Sequence, residues 1–445
     1  MSERKITIDV PSLARVEGEG ALHLKIEKGA LQYLQFKIYE PPRFFEKFLE
    51  GRHYSEVPDI VARICGICPV AYQVSAVNAL ESVFEVQLTP WIKQMRRLLY
   101  CGEWIQSHSL HIHLLALPDY FEEDTVLGLA AKHPEEVKRG FAIQEAGNRL
   151  IKFLGGRSVH PVGLQVGGFH KAPSEDSAAE LLEYIESVLP DAMAMAEWIS
   201  TIPLPDDPQT FNSVALTSVD YPLEAGRLKA DNGLDISETE YEDYFKELQS
   251  PHSTALWSLM KGNSMKGRGK KENSMDGDDY LVGPLARLNL NIDQLPEFLS
   301  DLLAKVGNPF PSNNMFHSML ARAVEICFAL HESAEILRQY QKPEAANVPV
   351  NVKAGTGCGW SEAPRGLLWH RYDVDEEGII RAAKIVPPTS QNQARIEQDL
   401  MRSLQRFGLD RSDQELRLHS EKVVRNYDPC ISCATHFINL TVARK

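Results

Sequence analysis

The sequence predicts an α+β protein, mainly helical, with a central bundle of long helices and small β-sheets at its periphery. Two kinds of periodicity predict it. Apolar residues recur at helical spacing from about Ala71 to Leu154, Glu175 to Ile199 and Ser312 to Gln341. Alternating apolar and polar residues at 5–38, and strand-like runs at 348–354, 367–374 and 379–386, mark the sheets. A third observation is compositional: 43% hydrophobic and 24% charged residues in a chain of 445 supply a real core. No internal repeat is visible, and 445 residues leave room for two or three domains or for one large domain, 1–445.

The elements follow in order. Residues 5–38 turn at Gly29 and form an N-terminal β region. A helical core occupies about 43–200 and 291–342. On its last helix Phe316, Met319, Ala323, Cys327 and Leu330 share one face, which makes Cys327 a core thiol. Residues 203–290, rich in Pro, Asp, Gly and Ser, read as an irregular insertion. Within it Lys266, Arg268, Lys270 and Lys271 form a basic cluster, most simply a solvated loop. A β/α region at 347–436 adds helices near 392–406 and 412–425, and a short tail, 437–445, closes the chain.

Charge excludes one class of function. The net charge of −14 argues against a nucleic-acid binder, which needs a basic face to displace counterions from phosphates. No apolar run approaches the roughly 18 residues of a membrane span. The opening Met1-Ser2-Glu3-Arg4-Lys5 has no signal core behind it, so the expected location is the cytoplasm.

The seven cysteines are more informative. An odd number in a large chain makes a poor disulfide framework. Four form two pairs, in Arg63-Ile64-Cys65-Gly66-Ile67-Cys68-Pro69 and Asp428-Pro429-Cys430-Ile431-Ser432-Cys433-Ala434-Thr435-His436. A two-residue gap lets both thiols of a pair face one ion, and Gly66 can supply an unusual dihedral for the turn. Four thiolates would suit zinc, nickel or iron–sulfur. Spacing alone leaves three readings open: a structural zinc site, a catalytic metal site, or unrelated thiols.

The two motifs resemble the signatures of nickel–iron hydrogenase large subunits. The resemblance extends to Arg15-Val16-Glu17-Gly18, to Gly155-Gly156-Arg157 with His160-Pro161 and Gly167-Gly168, and to Glu362-Ala363-Pro364-Arg365-Gly366. Val282-Gly283-Pro284-Leu285-Ala286-Arg287 and the short length are most similar to the cytoplasmic, cofactor-coupled branch. The resemblance implies the hydrogenase large-subunit fold, a single catalytic domain and reversible heterolysis of dihydrogen.

It also implies the site. Cys65 and Cys430 would be terminal nickel ligands, and Cys68 and Cys433 would bridge to an iron carrying carbon monoxide and cyanide. Glu17 would relay protons from a terminal cysteine. Arg365 would point its guanidinium at the open metal edge, and Asp428 would partner that arginine or the cluster, with a turn role before Pro429 competing. Thr389 would hydrogen-bond a cyanide. Glu46 and His436 would bind magnesium, which takes few protein ligands; Glu50 lies four residues along the same helix. Tyr72 and Glu19 stand where many members have histidine.

Partners follow from the same resemblance. Cys101, Cys327 and Cys358 are too few and too scattered for an iron–sulfur chain, so an iron–sulfur small subunit is expected. Flavin with NAD(P), or deazaflavin-reactive, subunits are further partners. Nickel chaperones and an endopeptidase that removes 437–445 would act during maturation. Two other functions compete: a metal-free structural relative of the kind found in respiratory complex I, and a zinc-stapled binding protein.

Overall fold

The computed structural model describes residues 5–261 and 277–435. The basic cluster, His436 and the tail lie outside these residues. The expected α+β, mainly helical architecture is what the chain adopts.

Four long helices form the centre: Pro90–Leu110, Pro134–Gly155, Glu175–Ser200 and Ser318–Arg338. The first three open on favourable starts. Thr89 caps the first with its side chain, Pro134 occupies the first turn of the second, and Ser174 caps the third. The last packs against the first and third. Ser318–Arg338 is buried almost all round, and Cys327 is fully buried within it. A helix buried on nearly every side belongs inside a bundle.

The N-terminal strands Lys5–Val10, Gly20–Glu27 and Ala30–Ile38 pair in order as an antiparallel sheet. A second three-stranded antiparallel sheet holds Gly355–Ala363, Gly366–Val374 and Ile380–Val386. One hydrophobic core runs from the first sheet through the bundle to both cysteine pairs. No described helix is long and apolar enough to cross a membrane.

Two local expectations fail, for identifiable reasons. The strand expected at 348–354 is absent; the strand begins at Gly355. Its glycines hid it. A Cβ on Gly357 would lie 2.2 Å from the Ala79 carbonyl, and one on Gly359 2.7 Å from the Ser75 carbonyl. The strand lies directly on the backbone of helix Pro69–Phe84, so alternate positions must be glycine. The insertion at 203–290 is also more regular than expected. Val214–Thr217, Arg227–Ala230 and Asp235–Ile236 form one sheet, and Phe245–Gln249 pairs with Leu256–Met260. These strands are too short to show a period.

Three buried histidines predict an acid weakness. Burial holds His108 and His113 down to about 4 and His111 well below its ordinary value. Between that range and about 6.5 the unfolded chain binds protons that the folded chain refuses. Stability should therefore fall as pH drops from about 6.5 towards 4, by up to roughly 1.4 kcal/mol per histidine per pH unit. Urea midpoints across this range test it; stability that is flat or rises on acidification contradicts it.

Candidate metal centre

The two cysteine pairs meet. One sulfur from each of Cys65, Cys68, Cys430 and Cys433 lies within 4.8 Å of the others, and all four residues are buried. The sulfurs associate across the motifs: Cys65 lies 3.4 Å from Cys430, and Cys68 3.6 Å from Cys433.

Local structure fixes each pair. Cys68 is the last residue before helix Pro69–Phe84, whose first position is proline. The buried Glu103 carboxylate accepts Val70 N–H at 2.6 Å and Ala71 N–H at 3.0 Å, satisfying donors that a helix start leaves unpaired. Gly66 does not use the positive φ expected of it. The turn closes on sulfur instead, with the N–H groups of Ile67 and Cys68 at 3.3 and 3.4 Å from Cys65 Sγ. Arg43 joins the two loops: its guanidinium donates to the carbonyls of Ile64 (2.6 Å) and Ser432. The mid-chain motif supports the first loop, with His160 Nδ1 donating to the Ala62 carbonyl at 2.7 Å and Gln73 to that of Pro161 at 2.8 Å.

Glu17 reaches this cluster through its backbone and its side chain. Its carbonyl accepts Ile431 N–H at 2.9 Å. Its Oε2 lies 3.1 Å from Cys430 Sγ and accepts Ser432 N–H at 3.1 Å. Burial, then the neighbouring Cys65 charge, raises the Glu17 carboxyl above its ordinary value. The Ser432 hydroxyl donates onward to Glu40 at 2.9 Å. Asp119 anchors the approach to Glu17. It pairs with Arg15 and, at 2.7 and 2.8 Å, with Arg425, which also grips the Ala14 carbonyl at 3.1 Å.

Arg365 occupies the two-residue turn between Ala363 and Gly366. It is 2% exposed and donates from Nε to the Asp428 carbonyl (2.8 Å) and from Nη2 to Oδ1 of Asp428 (3.0 Å). Asp428 holds φ at +53°, a left-handed conformation that presents both oxygens to the arginine. Thr389 Oγ1 accepts Cys430 N–H at 2.9 Å, which leaves its own hydroxyl proton available to donate. Glu46 accepts Ile385 N–H at 2.8 Å, while Glu50 is exposed and pairs with Lys47. Tyr72 is buried and Glu19 exposed.

The donor set fits a soft metal. Burial pushes the Cys430 and Cys433 thiols up, while hydrogen bonds from Cys430, Cys433 and Cys68 pull Cys65 well down. A divalent metal would hold all four sulfurs as thiolates. Beside them Arg365 Nη1 is buried with no hydrogen-bond partner among the described residues. A buried donor of this kind calls for an acceptor.

Four buried thiols within reach of one ion, beside a carboxylate and a buried guanidinium, define a metal-binding protein. Residues 43–141 and 270–436 match the family model of nickel-dependent hydrogenases. The alpha chain of sulfhydrogenase 2 from Pyrococcus furiosus is 31% identical, over 97% of this chain and all of the relative. The beta chain of the NAD-reducing hydrogenase HoxS from Cupriavidus necator is 29% identical over 97% of this chain and 95% of its own. A solved NAD+-reducing [NiFe]-hydrogenase, 27% identical, superposes with a TM-score of 0.86 over 97% of this chain and 99% of that one. The chain belongs to the nickel-dependent hydrogenase family and is its catalytic large subunit. Nickel and iron are the metals of that family's centre, and its large subunits pair with small subunits.

The motifs located the sulfurs, Glu17 and Arg365. They did not point to Glu103, Arg43, Asp119, Ser432 or Glu40. Each of these works through a contact distant in sequence, and only the placement of Ser432 between two motif cysteines was a hint.

Proposed function

We propose that Cys65 and Cys430 are terminal nickel ligands and that Cys68 and Cys433 bridge nickel to an iron carrying carbon monoxide and cyanide. The observation that carries this is the sulfur pairing: the two proposed terminal ligands neighbour each other, as do the two proposed bridges. Bound there, the metals supply the Lewis acidity and electron sink for reversible heterolysis of dihydrogen. The remaining work falls to side chains. Cys430 Sγ passes its proton across 3.1 Å to Glu17 Oε2, whose raised proton affinity suits it to receive one. Ser432 and Glu40 lie on the way outward. Arg365 Nη1, buried without a partner among the described residues, would donate to one cyanide, and the Thr389 hydroxyl would donate to another. Glu46, with His436, holds a magnesium ion.

The chain acts as one catalytic unit in the cytoplasm. Its electrons leave to an iron–sulfur small subunit, because Cys101, Cys327 and Cys358 are buried thiols of the core. Beyond that subunit lie flavin- and NAD(P)-dependent or deazaflavin-reactive partners. Nickel chaperones load the site, and an endopeptidase removes 437–445.

Hydrogen-dependent dye reduction by the purified complex tests the reading. Wild type should turn over. Arg365→Lys should lose roughly a hundredfold or more with nickel and iron retained, since one ammonium cannot replace a fork that grips Asp428 with Nε and Nη2 and aims Nη1 elsewhere. Full activity in Arg365→Lys contradicts the assigned role.

A further inference from the structure

One buried arginine lies behind the site without touching it. Arg287, on helix Pro284–Asn291, is fully buried, and all five of its N–H donors are used. Nε and Nη2 grip the Glu325 carboxylate at 2.7 Å each. Nη1 donates to Glu362 Oε2 at 3.1 Å and to the Ala363 carbonyl at 2.8 Å, and Nη2 donates to the Pro364 carbonyl at 3.1 Å. Its guanidinium lies 4.3 Å from the centre of a Trp104 ring. These two carbonyls belong to the residues immediately before Arg365.

The partners are fixed in turn. Glu325 accepts Tyr221 O–H at 2.8 Å and lies 2.9 Å from His108 Nε2; Glu362 accepts Leu216 N–H at 2.7 Å. Trp104 Nε1 donates to the Glu362 carbonyl at 2.8 Å. The start of the Arg287 helix also abuts the turn. A Cβ on Gly283, at φ +114°, would lie 2.9 Å from the Arg365 carbonyl, and one on Gly366 2.8 Å from Gly283 N. The arginine turn therefore rests in a cradle made by Val282–Arg287.

We propose that Arg287 is a positioning residue: by clamping the carbonyls of Ala363 and Pro364 it sets the direction in which the Arg365 guanidinium points. The inference rests on the role proposed above for Arg365. Neutralising Glu325 and Glu362 would need only a positive charge. Holding two carboxylates and two successive carbonyls at once needs the planar fork of arginine. A lysine keeps the charge and loses the clamp.

The test is a cycle of Arg287→Lys, Arg365→Lys and the double variant in the assembled enzyme, with amide exchange followed at residues 363–367. The expected result is faster exchange confined to this hairpin in Arg287→Lys. Turnover should fall at least roughly tenfold in the native background and less than about twofold in the Arg365→Lys background. If Arg287→Lys fails to accumulate, Glu325→Gln, which keeps the shape and weakens the fork, should show the same pattern at smaller size. Equal losses in both backgrounds, or unchanged exchange at the hairpin, would overturn the proposal. Unchanged turnover in Arg365→Lys alone would instead overturn the functional reading, a result that the exchange measurement cannot produce.

Discussion

Glu17→Gln is expected to cut hydrogen turnover by roughly 10²–10⁴-fold while leaving nickel and iron content unchanged. Glutamine has nearly the same shape and keeps an oxygen that can accept the N–H of Ser432. The backbone bond from Ile431 to the Glu17 carbonyl is untouched. What disappears is the ability to take a proton from Cys430 Sγ and release it. Burial already raises the affinity of the native carboxyl, so its protonated form lies closer to working pH than that of an exposed glutamate. Turnover in both directions and elemental analysis of the same sample check this. Activity within about threefold of wild type would remove Glu17 from the proton route.

Cys430→Ala should be more severe: nickel should be lost and turnover abolished, yet the chain should still fold. Cys430 neighbours both the Cys65 sulfur and the Glu17 carboxylate, so its loss removes a donor atom and the first proton acceptor together. Cys430 is one residue in a core that spans the first sheet and the helix bundle. The bundle and the three-stranded sheets are held by their own packing and ladders. Cys327→Ala is the control. That thiol is equally buried, but in the helix bundle, and its removal should cost only about 1–2 kcal/mol with turnover retained. Circular dichroism with nickel analysis separates the outcomes. A Cys430→Ala chain that unfolds outright would favour a structural staple over a catalytic centre.

Much of the fold was legible because periodicity survives where a helix has room to be amphipathic. Residues 175–199 announced the observed Glu175–Ser200 almost to the residue. The strand Gly355–Ala363 was illegible because close approach to another backbone demanded glycine where strands ordinarily carry β-branched residues. At the site, the cysteines were legible because ligand chemistry constrains residue type and spacing together. Their supports were not. Glu103 holds the first cysteine helix from another helix, and Arg287 holds the carbonyls of Ala363 and Pro364, just before Arg365, from within an ion cluster. Glu103 looks in sequence like an ordinary charge on a helix, and Arg287, though it ends a quoted motif, carries no sign there of what it holds; burial distinguishes both.

The most direct test of the central claim is X-ray absorption at the nickel edge on protein from its native host, paired with elemental analysis. The expected result is nickel bound by the four sulfurs of Cys65, Cys68, Cys430 and Cys433, with an equal amount of iron after the partner's clusters are counted. Zinc in place of nickel, or nickel held by nitrogen and oxygen donors, would contradict it.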